Sequence, residues 1–127
     1  MKRLIALAIM VCTFASIMAD DVMRRESDGT YVVNTATLAP EVDGYNGPTP
    51  VEVYIKKNKI VKVVVLKSHE GPKYVAMVKK SMLQQYEGAN VKKGNAPEVD
   101  AATGATFTSN AIKENVRRAI AYYKKHK

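Results

Sequence analysis

Residues 51–67 read VEVYIKKNKIVKVVVLK, and no other stretch constrains the fold as tightly. Val51, Val53 and Ile55 alternate with Glu52, Tyr54 and Lys56. That period of two belongs to a strand with one face in a core and the other in water. Asn58-Lys59 interrupts as a turn, and IVKVVVLK (60–67) returns as a second strand, so the segment predicts a β-hairpin. A hairpin alone is marginal in water and needs its apolar face covered. Two helical runs are available to cover it. KYVAMVKKSMLQQYEG (73–88) gathers Val75, Val78, Met82, Leu83 and Tyr86 on roughly one face, with Pro72 near its first turn and Gly88 placed to end it. SNAIKENVRRAIAYYKKHK (109–127) does the same with Ile112, Val116, Ala119, Ile120 and Tyr123, and its basic end suits the negative end of the helix dipole. Upstream, DGTYVVNTATL (28–38) reads as a strand after an Asp-Gly turn. APEVDGYNGPTP (39–50) and SHEGPKY (68–74) read as connections, and ANVKKGNAPEV (89–99) as a polar loop with a short strand near Val99. The expected class is α+β: a small antiparallel sheet with a central hairpin, packed against two main helices.

The start of the chain stands apart from this domain. MKRLIALAIMVCTFASIMADD opens with two basic residues, continues through an apolar run from Leu4 to about Ala15, and ends in small residues. This is the layout of a secretory signal peptide, and the run is short for a membrane span. The expected division is a signal peptide over 1–19, cut after Ala19, and one domain over 20–127. Retention as an uncleaved anchor is one alternative. Lipidation of Cys12 is another, disfavoured by bulky Val11 before it. Export places the domain in the periplasm or on the outer face of the membrane. Cys12 is the one cysteine, so the exported domain has no disulfide, thiolate metal site or CxxCH haem attachment. Losing Lys2 and Arg3 leaves 18 basic against 12 acidic side chains, a net charge of about +6. Such a surface suits anionic lipid or an acidic protein partner, and export argues against nucleic acid. Much of the excess also reads as an ordinary solvated lysine face.

Residues 100–109, DAATGATFTS, supply Thr103, Thr106, Thr108 and Ser109 beside a glycine, just ahead of the last helical run. Thr108 or Ser109 is a natural helix N-cap. Gly104 permits a sharp turn or a close ligand approach, and the amides at a helix start favour an anion. These residues allow a phosphate here; they equally describe a capped helix behind a glycine turn.

The full pattern D-x-x-T-G-A-T-x-T-S resembles the flavinylation motif of the FMN-binding domain family, which includes covalent-flavin subunits of the sodium-pumping NADH:quinone reductase and Rnf complexes. The resemblance implies FMN joined through its phosphate to a threonine hydroxyl, which falls on Thr106. It implies a magnesium-dependent flavin transferase that uses FAD as donor. Asp100, Thr103, Gly104, Ala105, Thr108 and Ser109 belong to the same motif. Asp100 serves recognition, metal holding during transfer, or an Asx-type turn. Gly44 and Tyr45 match the family's loop before the hairpin, with Tyr45 placed to pack beside the flavin ring or to be an ordinary loop tyrosine. Glu70 and Pro72 match the second loop, where Gly71 replaces the family's usual threonine. No catalytic residue and no metal site is expected. His69 and His126 read as solvated.

The implied function is an exported electron carrier with covalent FMN, exchanging electrons with a redox partner protein or a membrane electron-transfer complex. Whether it is an enzyme stays open. A non-redox surface module using the basic faces, and a small flavin-dependent reductase, are the alternatives.

Overall fold

The computed structural model describes residues 22–127; the expected signal peptide, its cleavage point and Cys12 lie outside the described residues. Four strands, β1 (Met23–Arg25), β2 (Tyr31–Asn34), β3 (Val51–Lys56) and β4 (Lys59–Val65), form one antiparallel sheet in the order β1-β2-β3-β4. Two helices follow, α1 (Pro72–Ser81) and α2 (Thr106–His126), with a 3-10 turn at Leu83–Tyr86 between them. The α+β class holds.

The alternation in β3 becomes burial directly. Val51, Val53 and Ile55 are fully buried, while Glu52, Tyr54 and Lys56 are half-buried on the other face. Beside them, β4 carries Ile60 and Val63 in the core, three positions apart, which strict alternation forbids. A bulge resolves this. Tyr54 pairs with Lys62 and Ile55 with Ile60, so Val61 has no partner and faces solvent. The turn itself is Lys57-Asn58 rather than Asn58-Lys59, because Lys59 already pairs with Lys56. Both turn residues have positive φ, 52° and 62°. A two-residue turn of this hand matches the twist of the flanking strands.

α2 lies on the sheet and buries Ile112, Val116, Ala119, Ile120 and Tyr123, the five positions the periodicity selects. Each large aliphatic among them contributes roughly 1.5–3 kcal/mol of burial. Val78, Met82, Leu83 and Tyr86 close the same core from the α1 side, whereas Val75, expected on that face, stands outside the core and lines a surface concavity beside Lys79.

Several boundaries differ from expectation. β1 was not anticipated: three residues of Met-Arg-Arg carry no apolar pattern, and only pairing with β2 makes them a strand. The strand expected over 28–38 is confined to 31–34, since Thr35 turns the chain, its Oγ1 accepting from Val51 N at 2.9 Å. The helix expected over 73–88 ends at Ser81 and tightens into the 3-10 turn before Gly88, at φ 84°. No strand forms at Val99, which packs half-buried against the core. Most consequential for the site, the last helix starts three residues early, at Thr106.

Candidate functional site at the start of the last helix

Ala102 to Ala105 form a tight turn, closed by Ala105 N donating to Ala102 O at 3.0 Å. Gly104 takes φ 84°, the value the third residue of a type II turn requires. Thr103 is exposed at the corner. The chain then enters α2 with Ala105 as N-cap and Thr106 as the first helical residue.

This overturns the expected capping roles of Thr108 and Ser109. Both lie inside the first turn, 1% and 0% exposed, and no side chain caps the helix. Their hydroxyls are used inward. Ser109 Oγ accepts from Ala102 N at 3.0 Å, tying the turn to the helix. Thr108 Oγ1 donates to Glu70 Oε1 at 2.9 Å. Thr106 is the hydroxyl of the first turn left facing solvent. The first turn also holds no acidic residue. Its amides and the positive end of the dipole are therefore open to an anion beside Thr106.

Glu70 holds the opposite wall together. It is 6% exposed, yet its carboxylate accepts four hydrogen bonds. Tyr45 N and Asn46 N each approach at 2.8 Å, one to each oxygen. Thr49 Oγ1 donates at 3.2 Å, and Thr108 Oγ1 completes the set. A buried carboxylate needs such pairing to be tolerated. Gly44 is required by this packing: a Cβ there would lie 1.9 Å from Glu70 Oε1 and 2.6 Å from Thr49 Oγ1. The loop closes on itself through Gly44 N to Gly47 O, 2.8 Å, and an Asp43–Pro48 bridge.

With its backbone pinned, Tyr45 projects outward, 62% exposed. Its ring lies 5.9 Å from Tyr74 and 6.1 Å from Phe107, which is itself 67% exposed. These rings, Gly104, Ala105, Thr106 and Thr108 line a concavity of about 270 Å³. An open aromatic shelf beside an uncapped helix start offers a stacking surface and an anion site in one place. That donor set fits a flat aromatic ring system carrying a phosphate.

The remaining sequence-selected residues lie further out. Pro72 is exposed at the start of α1 and does not line this concavity. Gly71 is the N-cap of α1, with no side-chain cap. Asp100 makes no Asx turn. Its backbone N–H and C=O are both taken by the Gln85 side chain, at 2.8 and 3.0 Å, and the Ala102 amide goes to Ser109. Among the described residues its carboxylate has no hydrogen-bond partner. His69 and His126 are exposed. Sequence reading missed Phe107 and Tyr74. Phe107 carried a usable signal, since an aromatic residue among hydroxyls and small residues has no core to enter. Tyr74 did not stand out from the apolar positions around it.

Among the described residues no helix is long and apolar enough to cross a membrane, and no group of three His, Cys, Asp or Glu side chains is placed to hold a metal ion. No curated protein and no solved structure matches the chain. The family model of the FMN-binding domain matches residues 44–121, more than half of the chain, from the pinned glycine loop through most of α2. The chain therefore belongs to the FMN-binding domain family and is a flavin-binding module with FMN as its cofactor.

Proposed function

We propose that this protein is an exported electron carrier whose FMN is joined through its phosphate to Thr106 Oγ1. The observation that carries the reading is the position of Thr106: exposed, first in an uncapped helix, and beside the Tyr45–Phe107 shelf. Attachment is a phosphoryl transfer. Thr106 Oγ1 attacks the FMN phosphorus of FAD, an O–P bond forms, the phosphoanhydride bond breaks, AMP leaves, and the hydroxyl proton passes to solvent or to the transferase. No oxidant or reductant is consumed. The remaining phosphodiester charge faces the free amides of the first turn. Gly104 and Ala105 leave room for the ribityl phosphate, and the aromatic shelf receives the ring. Bound FMN supplies one- and two-electron redox chemistry, while the chain positions it and controls its exposure. Covalent attachment suits export, because cofactor that dissociated outside the cytoplasm would be lost. The donor and acceptor are a redox partner protein or a membrane electron-transfer complex that meets the aromatic end.

The test is co-expression with a magnesium-dependent flavin transferase, followed by intact mass measurement. The wild-type chain should gain one FMN less one water, and Thr106→Ala should gain nothing. Modification that persists in Thr106→Ala, or an unmodified wild-type chain, overturns the reading.

A further inference from the structure

The two ends of α2 differ sharply in character. Its N-terminus carries Thr106 in a concavity with no charged side chain in its lining. Its C-terminus meets two other chain segments. Asn58 Oδ1, in the hairpin turn, accepts from Tyr123 Oη and from Lys127 Nζ, both at 2.7 Å. The Asn58 carbonyl accepts from Val91 N at 2.8 Å, and Lys59 bridges to Asn90. Gly94 lies against the Lys124 side chain, where a Cβ would come within 3.0 Å of Cγ. Three tips converge, and each brings lysines: Lys57 and Lys59, Lys92 and Lys93, Lys124 and Lys127. Among the described residues none of these six forms an ion pair. Asp28 lines a concavity with Lys57 and Lys127, but its ion pair, at 3.7 Å, is with Lys56. A 21-residue helix is about 30 Å long, which sets this basic pole that far from Thr106.

We infer that the basic pole docks the protein on an anionic phospholipid surface, with the Thr106 end held away from the bilayer. Charge complementarity favours lipid over a protein partner for a physical reason. Protein interfaces deplete lysine in their cores and are anchored by aromatic side chains. The pole offers lysines and no exposed aromatic; Tyr45 and Phe107 lie at the other end, and Val61 is on the β4 bulge. Lysines are flexible point charges that suit a diffuse anionic plane rather than a fixed bidentate partner. An acidic redox partner seated here would also be about 30 Å from the cofactor end.

The experiment uses the chain from Asp20, which keeps every core residue among the described residues, and vesicles of phosphatidylcholine with or without phosphatidylglycerol. Binding should require phosphatidylglycerol and weaken as salt rises. Replacing Lys57, Lys59, Lys92 and Lys93 by Gln should lower partitioning roughly fivefold per residue. Replacing Lys67, Lys73, Lys79 and Lys80, which removes the same charge from the Glu70 side, should change it far less. Equal loss in both quadruple variants, or binding to soluble polyglutamate without binding to vesicles, overturns the proposal. None of these measurements needs flavin, so their outcome is separate from the fate of the electron-carrier reading. With flavinylated protein, iodide should quench the flavin equally well on and off vesicles; protection on binding would overturn the orientation.

Discussion

Glu70 and Gly44 are each other's condition. The carboxylate reaches four donors only because Gly44 has no side chain, and the loop keeps its shape only because the carboxylate is there. Glu70 therefore acts on the site through others: it fixes the Tyr45 backbone on one side and the Thr108 hydroxyl on the other. Glu70→Gln puts an NH₂ donor where amide and hydroxyl donors already point. Urea unfolding should register a loss of about 2–4 kcal/mol, and hydrogen exchange at Tyr45 and Asn46 should accelerate. An unchanged midpoint with unchanged exchange would mean that the loop is held by something else. Lys57 presents the opposite case, a residue that does not suit its place. Its φ of 52° is a left-handed conformation that asparagine adopts more readily than lysine. Lys57→Asn should raise stability by up to about 1 kcal/mol in the same assay.

Elements here are held by specific cross-links as well as by burial. On α2, Glu114 accepts from Arg117 twice at 2.6 Å and from Arg118 at 2.9 Å, and Arg118 also bonds Glu41. The network clamps the 35–42 connection onto the helix. The Arg117 hydrogen bonds, aided by Arg118, hold the Glu114 carboxyl down at about 2 against partial desolvation. A carboxyl depressed in the folded state stabilises fully above its ordinary value of 4.5, and that contribution is lost as pH falls toward about 2. The group is partly exposed, so solvent screening limits the effect to under about 1 kcal/mol. Glu114→Gln should thus destabilise slightly at neutral pH, with the gap to wild type closing by about pH 2 in an acid titration followed by circular dichroism. A gap that persists at the acid end would assign the loss to packing rather than to ionisation.

The whole molecule is polarised along α2. One end gathers the aromatic shelf, Thr106 and the uncapped amides; the other gathers the lysine tips. The same helix supplies the positive end of a dipole to the first and a basic last turn, Lys124, Lys125 and His126, to the second. This arrangement recasts the basic charge of the sequence. The lysines of the hairpin, the 92–93 loop and the helix end stand far from the shelf, so they do not line the cofactor site.

By itself the sequence determined what local pattern controls. The hairpin and the buried face of α2 follow from periodicity and residue type, because those depend on near neighbours along the chain, and the family follows from the resemblance of the DAATGATFTS motif. Tertiary structure decided the rest. β1 exists only through pairing with β2, and the β4 bulge only because Ile60 and Val63 share one core. Thr108 and Ser109 cap nothing, because Glu70 and Ala102, 38 and 7 residues away in sequence, claim their hydroxyls. That leaves Thr106 exposed at the helix start. Tyr45, Tyr74 and Phe107 form one shelf although they lie in three separate segments. Such meetings depend on how distant segments pack, and a local pattern holds no record of them.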